Sequence, residues 1–225
     1  TSRVSVDSAG VQGNLASFSP SISADGSNVA FYSYASNLVL NDTNFVYDIF
    51  VHDLQTGLTS RVSVDSAGVQ GNGTSSFPSI SADGFYVAFY SVANNLVPGD
   101  TNIREDVFVH DRQTGQTSRV SVDSAGIQGN SSSWSPSISG DGRYVAFFSL
   151  SNNLVPSDTN GTWDIYVHDR QTALTSRVSV TTAGGQVNGY SYYPAISEDG
   201  RYVAFHSAAT NLVSGDTNGV PDVFI

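Results

Sequence analysis

The chain has 225 residues, 39% of them apolar and 11% aromatic, which is enough to bury a substantial core and excludes a disordered tract. Nine arginines, no lysine and twenty acidic residues leave a net charge of −11, which repels the phosphate backbone of nucleic acid and an anionic membrane surface alike. No apolar run approaches the roughly 18 residues of a membrane span, and without cysteine there are neither disulfides nor thiolate metal sites.

The phrase TSRVSV opens the chain at Thr1 and returns at Thr59, Thr117 and Thr175, so repeat units occupy 1–58, 59–116, 117–174 and 175–225 with no insertion between them. A unit of this length is one supersecondary block that cannot bury its apolar face alone, so neighbours must stack. The third unit shows its strands most plainly. The small, β-compatible segment from Ser135 to Ser139 forms the first, and Asp141-Gly142 supplies a tight hairpin turn, as do Asp25-Gly26, Asp83-Gly84 and Asp199-Gly200. A second strand from Tyr144 to Phe148 is apolar on both faces, which places it between layers.

The third strand, from Asp164 to His168, is β-branched and aromatic on both faces and reads as mostly buried. The turn after it ends in Gly57 and Gly115 in the first two units but in Ala173 in the third, which predicts a strained turn there. A fourth strand from Thr175 to Val180 alternates Val178 and Val180 with Arg177 and Ser179, the pattern of an outer strand with one face in solvent.

The segments SxDGRYVAFxS at Ser139 to Ser149, NLVPxDTN at Asn153 to Asn160 and DVFVHDRQTG at Asp106 to Gly115 resemble the WD40-like bacterial repeats related to the propeller of TolB, over essentially the whole chain. Strand pattern and resemblance together predict an all-β fold, a β-propeller of four four-stranded antiparallel blades. Pairing of Thr1 to Val6 with the third strand at Val223 to Ile225 is expected to close the ring and remove its open edge. The rival arrangements are half of an eight-bladed ring, made when two chains share end strands as a homo-oligomer, and an excerpt of a longer array.

Because one frame must pack alike in every unit, positions that break the repeat are informative. One variable window precedes Pro20, Pro78, Pro136 and Pro194 and carries Phe18, Phe77, Trp134, Tyr190, Tyr192 and Tyr193. The other follows each Asp-Thr-Asn triplet and includes Trp163. Rings on a rigid frame either plug the gaps between blades or offer a stacking surface for a sugar or peptide. These seven aromatics are the ligand-binding candidates.

The spacing Asp-x-Asn-x-x-x-Asp recurs as Asp42, Asn44 and Asp48; Asp100, Asn102 and Asp106; Asp158, Asn160 and Asp164; and Asp216, Asn218 and Asp222. Hard oxygens at such intervals suit Ca²⁺, while the alternative is Asx-turns that open the third strand. His52, His110 and His168 fill one repeat column, which points to a structural place, since catalysis needs one asymmetric constellation. No nucleophile elbow, phosphate loop or dinucleotide fingerprint is present. The expectation is a non-catalytic extracellular or periplasmic binding or scaffolding module for a glycan or protein ligand. The competing readings are a hydrolase or lyase at the axial mouth and a structural subunit of a larger assembly.

Overall fold

A computed structural model describes residues Thr1–Ile225 in full, and every regular element in it is a strand. The first sheet contains β1 (Ser17–Ile22), β2 (Asn28–Ser33), β3 (Asp48–Asp53) and β4 (Thr59–Arg61) in that spatial order, all antiparallel. The second contains β5 (Ser75–Ile80), β6 (Tyr86–Ser91), β7 (Asp106–Asp111) and β8 (Thr117–Arg119). The third contains β9 (Ser133–Ile138), β10 (Tyr144–Ser149), β11 (Asp164–Asp169) and β12 (Leu174–Arg177). The fourth has three strands, β13 (Ser191–Ile196), β14 (Val203–Ser207) and β15 (Asp222–Phe224). Each sheet is one blade of three strands from one repeat, completed in the first three blades by the strand that opens the next repeat, so the predicted strand order holds there.

The sequence explains the layering. Strands β2, β6 and β10 carry the YVAF-type runs, and their inner residues Ala30, Val87, Ala88, Phe89, Val145 and Phe147 are buried. One core cluster joins Ala30, Ile49, Val51 and Val62 of the first blade to Val87, Phe89, Leu96 and Phe108 of the second. A second cluster repeats this between the second and third blades, and a third between the third and fourth. The apolar core therefore lies between blades, as stacked repeats require.

Backbone groups tie the same junctions. Ala24 N–H donates to Ala82 O at 3.0 Å, Ala82 N–H to Gly140 O at 2.9 Å and Gly140 N–H to Glu198 O at 2.8 Å. Close approach at these turns demands glycine. Gly142 has φ 71°, and a Cβ there would strike the ring of Tyr86 from the preceding blade.

The expected closure is not made. Thr1 to Arg3 join no sheet, and β15 has no fourth strand beside it. Inner strands pack β1 on β5, β5 on β9 and β9 on β13, but β13 does not pack back on β1 in that way. The four blades thus stack in sequence with no pairing between the first and the last, an open arc. Its two ends stay bare: Ile22 is 60% exposed where Ile80 and Ile138 are each 7%, and Val223 is 79% exposed where Ile49, Val107 and Ile165 are fully buried.

Candidate functional site

Every inner strand is interrupted by a bulge. Pairing of β1 with β2 breaks between Phe18 and Ser21, and the same slip recurs in β5, β9 and β13. The residue at the slip lies at positive φ in all four blades: Ser19 at 46°, Phe77 at 52°, Ser135 at 48° and Tyr193 at 49°. A proline follows each, and since it has no N–H to give to the ladder, the bulge costs no further hydrogen bond. The bulge turns the variable window out of the sheet, where its rings meet those of the next strand.

The result is a belt of aromatic rings along one rim of the arc. Phe18 lies across from Tyr32 at 5.5 Å, and Tyr32 reaches Phe77 of the next blade at 5.8 Å. Phe77 stacks on Tyr90 at 5.7 Å, and Tyr90 meets Trp134 at 6.3 Å. Trp134 contacts Trp163 at 5.3 Å and Phe148 at 5.9 Å, and Phe148 reaches Tyr192 at 5.0 Å and Tyr193 at 5.6 Å. Tyr190 stacks on Tyr192 at 4.8 Å. His206 ends the line with its edge toward Tyr192 at 5.7 Å, a polar tip in an otherwise aromatic column.

All seven aromatics singled out from the sequence thus fall in one belt. Interblade packing and surface display coexist in it. Phe18 is 45% exposed, Phe77 43% and Tyr193 62%, whereas Trp134, Trp163 and Tyr192 are half-buried. The indole N–H of Trp134 is shut away with no acceptor. Tyr32, Tyr34, Tyr47, Tyr90 and Phe148 also belong to the belt, with Tyr34 5.2 Å from Tyr47. The sequence gives them away only through register, since the bulge places Phe18 opposite Tyr32 and Trp134 opposite Phe148.

The Asp-x-Asn-x-x-x-Asp loops do something else. Asp48 is fully buried; its Oδ1 accepts the Ser63 hydroxyl at 2.5 Å and its Oδ2 the Asn44 amide at 2.7 Å. Arg61 Nη1 lies 3.2 Å from Asp42 and 3.5 Å from Asp48. Arg119 stands likewise between Asp100 and Asp106, and Arg177 between Asp158 and Asp164. Burial pushes the carboxyls of Asp48, Asp106 and Asp164 above the ordinary range, against the serine hydrogen bonds and the arginine charge that pull them down.

These residues do not fit the calcium expectation. In three blades a guanidinium already supplies the positive charge, the asparagine amide turns its N–H to the aspartate, and no group of three or more His, Asp or Glu side chains converges to hold an ion. In the fourth blade Asp216 and Asp222 have no arginine beside them, and Asn218 donates to Asp222 at 2.8 Å.

The histidine column is structural, as expected. His52, His110 and His168 each bond through Nδ1 to Thr59, Thr117 or Thr175 at 2.8 Å. Burial lowers the pKa of His110 and His168. Arg143, which follows the hairpin turn of the third blade, grips Asp169 through Nε at 2.9 Å and Nη2 at 2.7 Å and lies over the Tyr144 ring.

No protein-family model and no curated protein sequence matches the chain. Solved structures do. TolB from Acinetobacter baumannii is similar at TM-score 0.50 and 21% identity, over 93% of this chain and 43% of that one. An oligogalacturonate lyase in complex with manganese aligns at TM-score 0.52 and 13% identity, over 95% of this chain and 54% of that one. Porphyromonas gingivalis dipeptidyl peptidase 4 aligns at 0.51 and 16%, over 85% of this chain and 29% of that one. The chain spans less than two thirds of the length of each. At these identities the likeness is one of architecture, and the chain has the fold of a TolB-like β-propeller.

Proposed function

We propose that the chain is a non-catalytic propeller module, extracellular or periplasmic, whose aromatic belt binds a glycan or an extended protein segment. The observation that carries this reading is the continuity of the belt: partly exposed rings from all four blades line one rim. A ring face offers a large, rigid contact to the C–H face of a sugar or to an apolar side chain at little cost in conformational entropy. Belt positions differ from blade to blade while the frame does not, so the surface is multivalent without being uniform. Support for a non-catalytic role comes from where the reactive side chains go: histidines to threonines, aspartates to arginines, in blade after blade.

The test is a glycan and peptide array probed with the wild-type chain and with Phe77→Ala/Tyr193→Ala. Both rings are partly exposed, and a melting midpoint near that of the wild type certifies that the double variant folds. The double variant is expected to lose at least about tenfold in affinity for whatever the wild type retains, about 1.4 kcal/mol. Equal binding by both proteins sinks the belt as the ligand surface.

A further inference from the structure

Blade two interrupts the aromatic belt from inside the arc, with a four-stranded blade on either side of it. At each junction the last residue of the second variable window holds the next inner strand by one backbone bond. Ser75 N–H donates to Tyr47 O, Ser133 N–H to Glu105 O and Ser191 N–H to Trp163 O, each at 2.8 Å. Tyr47, Glu105 and Trp163 therefore occupy one place in three successive blades. Both rings at that place pack into the belt: Tyr47 lies 5.4 Å from Tyr32 and 6.2 Å from Phe18, and Trp163 lies 5.4 Å from Phe148 and 5.3 Å from Trp134. The facing column changes together with it, since Phe18 and Trp134 give way to Ser76 in blade two.

Two rings are thus exchanged for a carboxylate and a hydroxyl, while the rings around them remain. Tyr90, across from Ser76, stacks on Phe77 and meets Trp134. Burial raises the Tyr90 phenol above its ordinary pKa, a hydrogen bond with Ser76 opposes the rise, and nearby charges, Glu105 among them, add to it. Glu105 Oε2 accepts the Ser132 hydroxyl at 2.6 Å, which fixes the half-buried carboxylate and leaves Oε1 free. Every ion pair of the chain uses an aspartate, so no arginine neutralises Glu105; Arg104 beside it in the chain is exposed and forms no ion pair.

We propose that this notch receives the ammonium group of a lysine on an extended protein segment lying along the belt, an inference that rests on the belt being the binding surface. A cation there gains from the ring faces of Phe77, Tyr90 and Trp134 as well as from the carboxylate. One free oxygen suits the point charge of an ammonium, whereas the planar fork of a guanidinium matches two oxygens side by side. The net charge of −11 speeds the approach of a basic segment, and Glu105 fixes where along the belt its charge comes to rest.

The experiment titrates the 225-residue chain with end-blocked hexalysine, with the same peptide acetylated at every Nε, and with cellohexaose. Calorimetry measures the binding, and the emission of Trp134 and Trp163, the two tryptophans of the chain, places it at the belt. The variants are Glu105→Gln and, as a control for net charge, Glu198→Gln, the chain's other glutamate, which is exposed at a hairpin turn. A melting midpoint near that of the wild type certifies that each variant folds. Hexalysine is expected to bind the wild type, to weaken at least about tenfold in Glu105→Gln and to hold in Glu198→Gln; acetylation weakens it at least about tenfold. No binding of hexalysine overturns the proposal, as do equal losses in the two glutamate variants or equal binding of the two peptides. Cellohexaose or acetylated peptide held by the wild type and lost in Phe77→Ala/Tyr193→Ala would keep the belt even if the lysine notch falls.

Discussion

Ala173 sits at φ 59° in a turn where Gly57 and Gly115 sit at 73° and 72°. A Cβ in the left-handed region costs roughly 1–2 kcal/mol relative to glycine, so Ala173→Gly is expected to raise stability by about 1 kcal/mol, read as a higher urea midpoint at unchanged slope. A lower midpoint contradicts the strain. Arg119 is the opposite case, since it neutralises two acids of the second blade. Removing one partner of a buried pair costs about 3–5 kcal/mol because the remaining charge is left uncompensated. Arg119→Ala is therefore expected to melt far earlier, while millimolar calcium or a chelator leaves the wild-type midpoint where it was. A calcium-dependent rise would restore the metal reading of these loops. The acids were legible as a spaced set, but their partner was not, because Arg119 lies in TSRVSV, beyond the loop, and meets the aspartates only when the outer strand pairs.

At the scale of the strand, the histidines set a pH window. His110 and His168 are buried and held below their ordinary pKa, so the unfolded chain binds protons that the folded chain refuses. Their contribution is fully present above the unfolded pKa of about 6.5 and is lost as pH falls below it. The expected outcome is a melting midpoint that declines between about pH 7 and pH 5 in the wild type and declines less in His110→Gln/His168→Gln. Parallel curves for the two proteins contradict it. The raised carboxyls of Asp106 and Asp164 act the other way, since the folded state takes up protons before the unfolded one and their charged forms grow costlier as pH rises. The strands themselves were legible because hairpin turns and two-faced apolar runs recur in fixed order. Outer strands were read too long: the third ends at Arg177, after which Val178 N–H still donates to Ile165 O of the same blade but Val180 N–H turns to Val178 O. The belt was half legible, since the variable windows mark its outer rings, but Tyr32 and Tyr90 look like core residues until the bulge sets the register.

For the whole molecule, stability sits in the junctions. Ile80 closes the first of them at 7% exposure, whereas Ile22, its counterpart at the free end, is 60% exposed. Ile80→Ala is expected to cost about 2–5 kcal/mol, and Ile22→Ala less than about 0.5 kcal/mol in the single chain. Denaturant titration of both separates junction packing from mere apolarity, and equal costs contradict it. Repetition made the blade count plain from the sequence, but ring closure was not, since it depends on how the first and last blades meet, which no pattern within a single repeat encodes.

The bulge before each proline has a consequence for how such a surface changes over time. A substitution within a regular ladder drags its cross-strand neighbours with it. A substitution at Ser19, Phe77, Ser135 or Tyr193 lands on backbone that pairs with nothing. Each blade can thus exchange one letter of its outward message while the scaffold beneath keeps its grammar, and the four blades spell serine, phenylalanine, serine and tyrosine at that place.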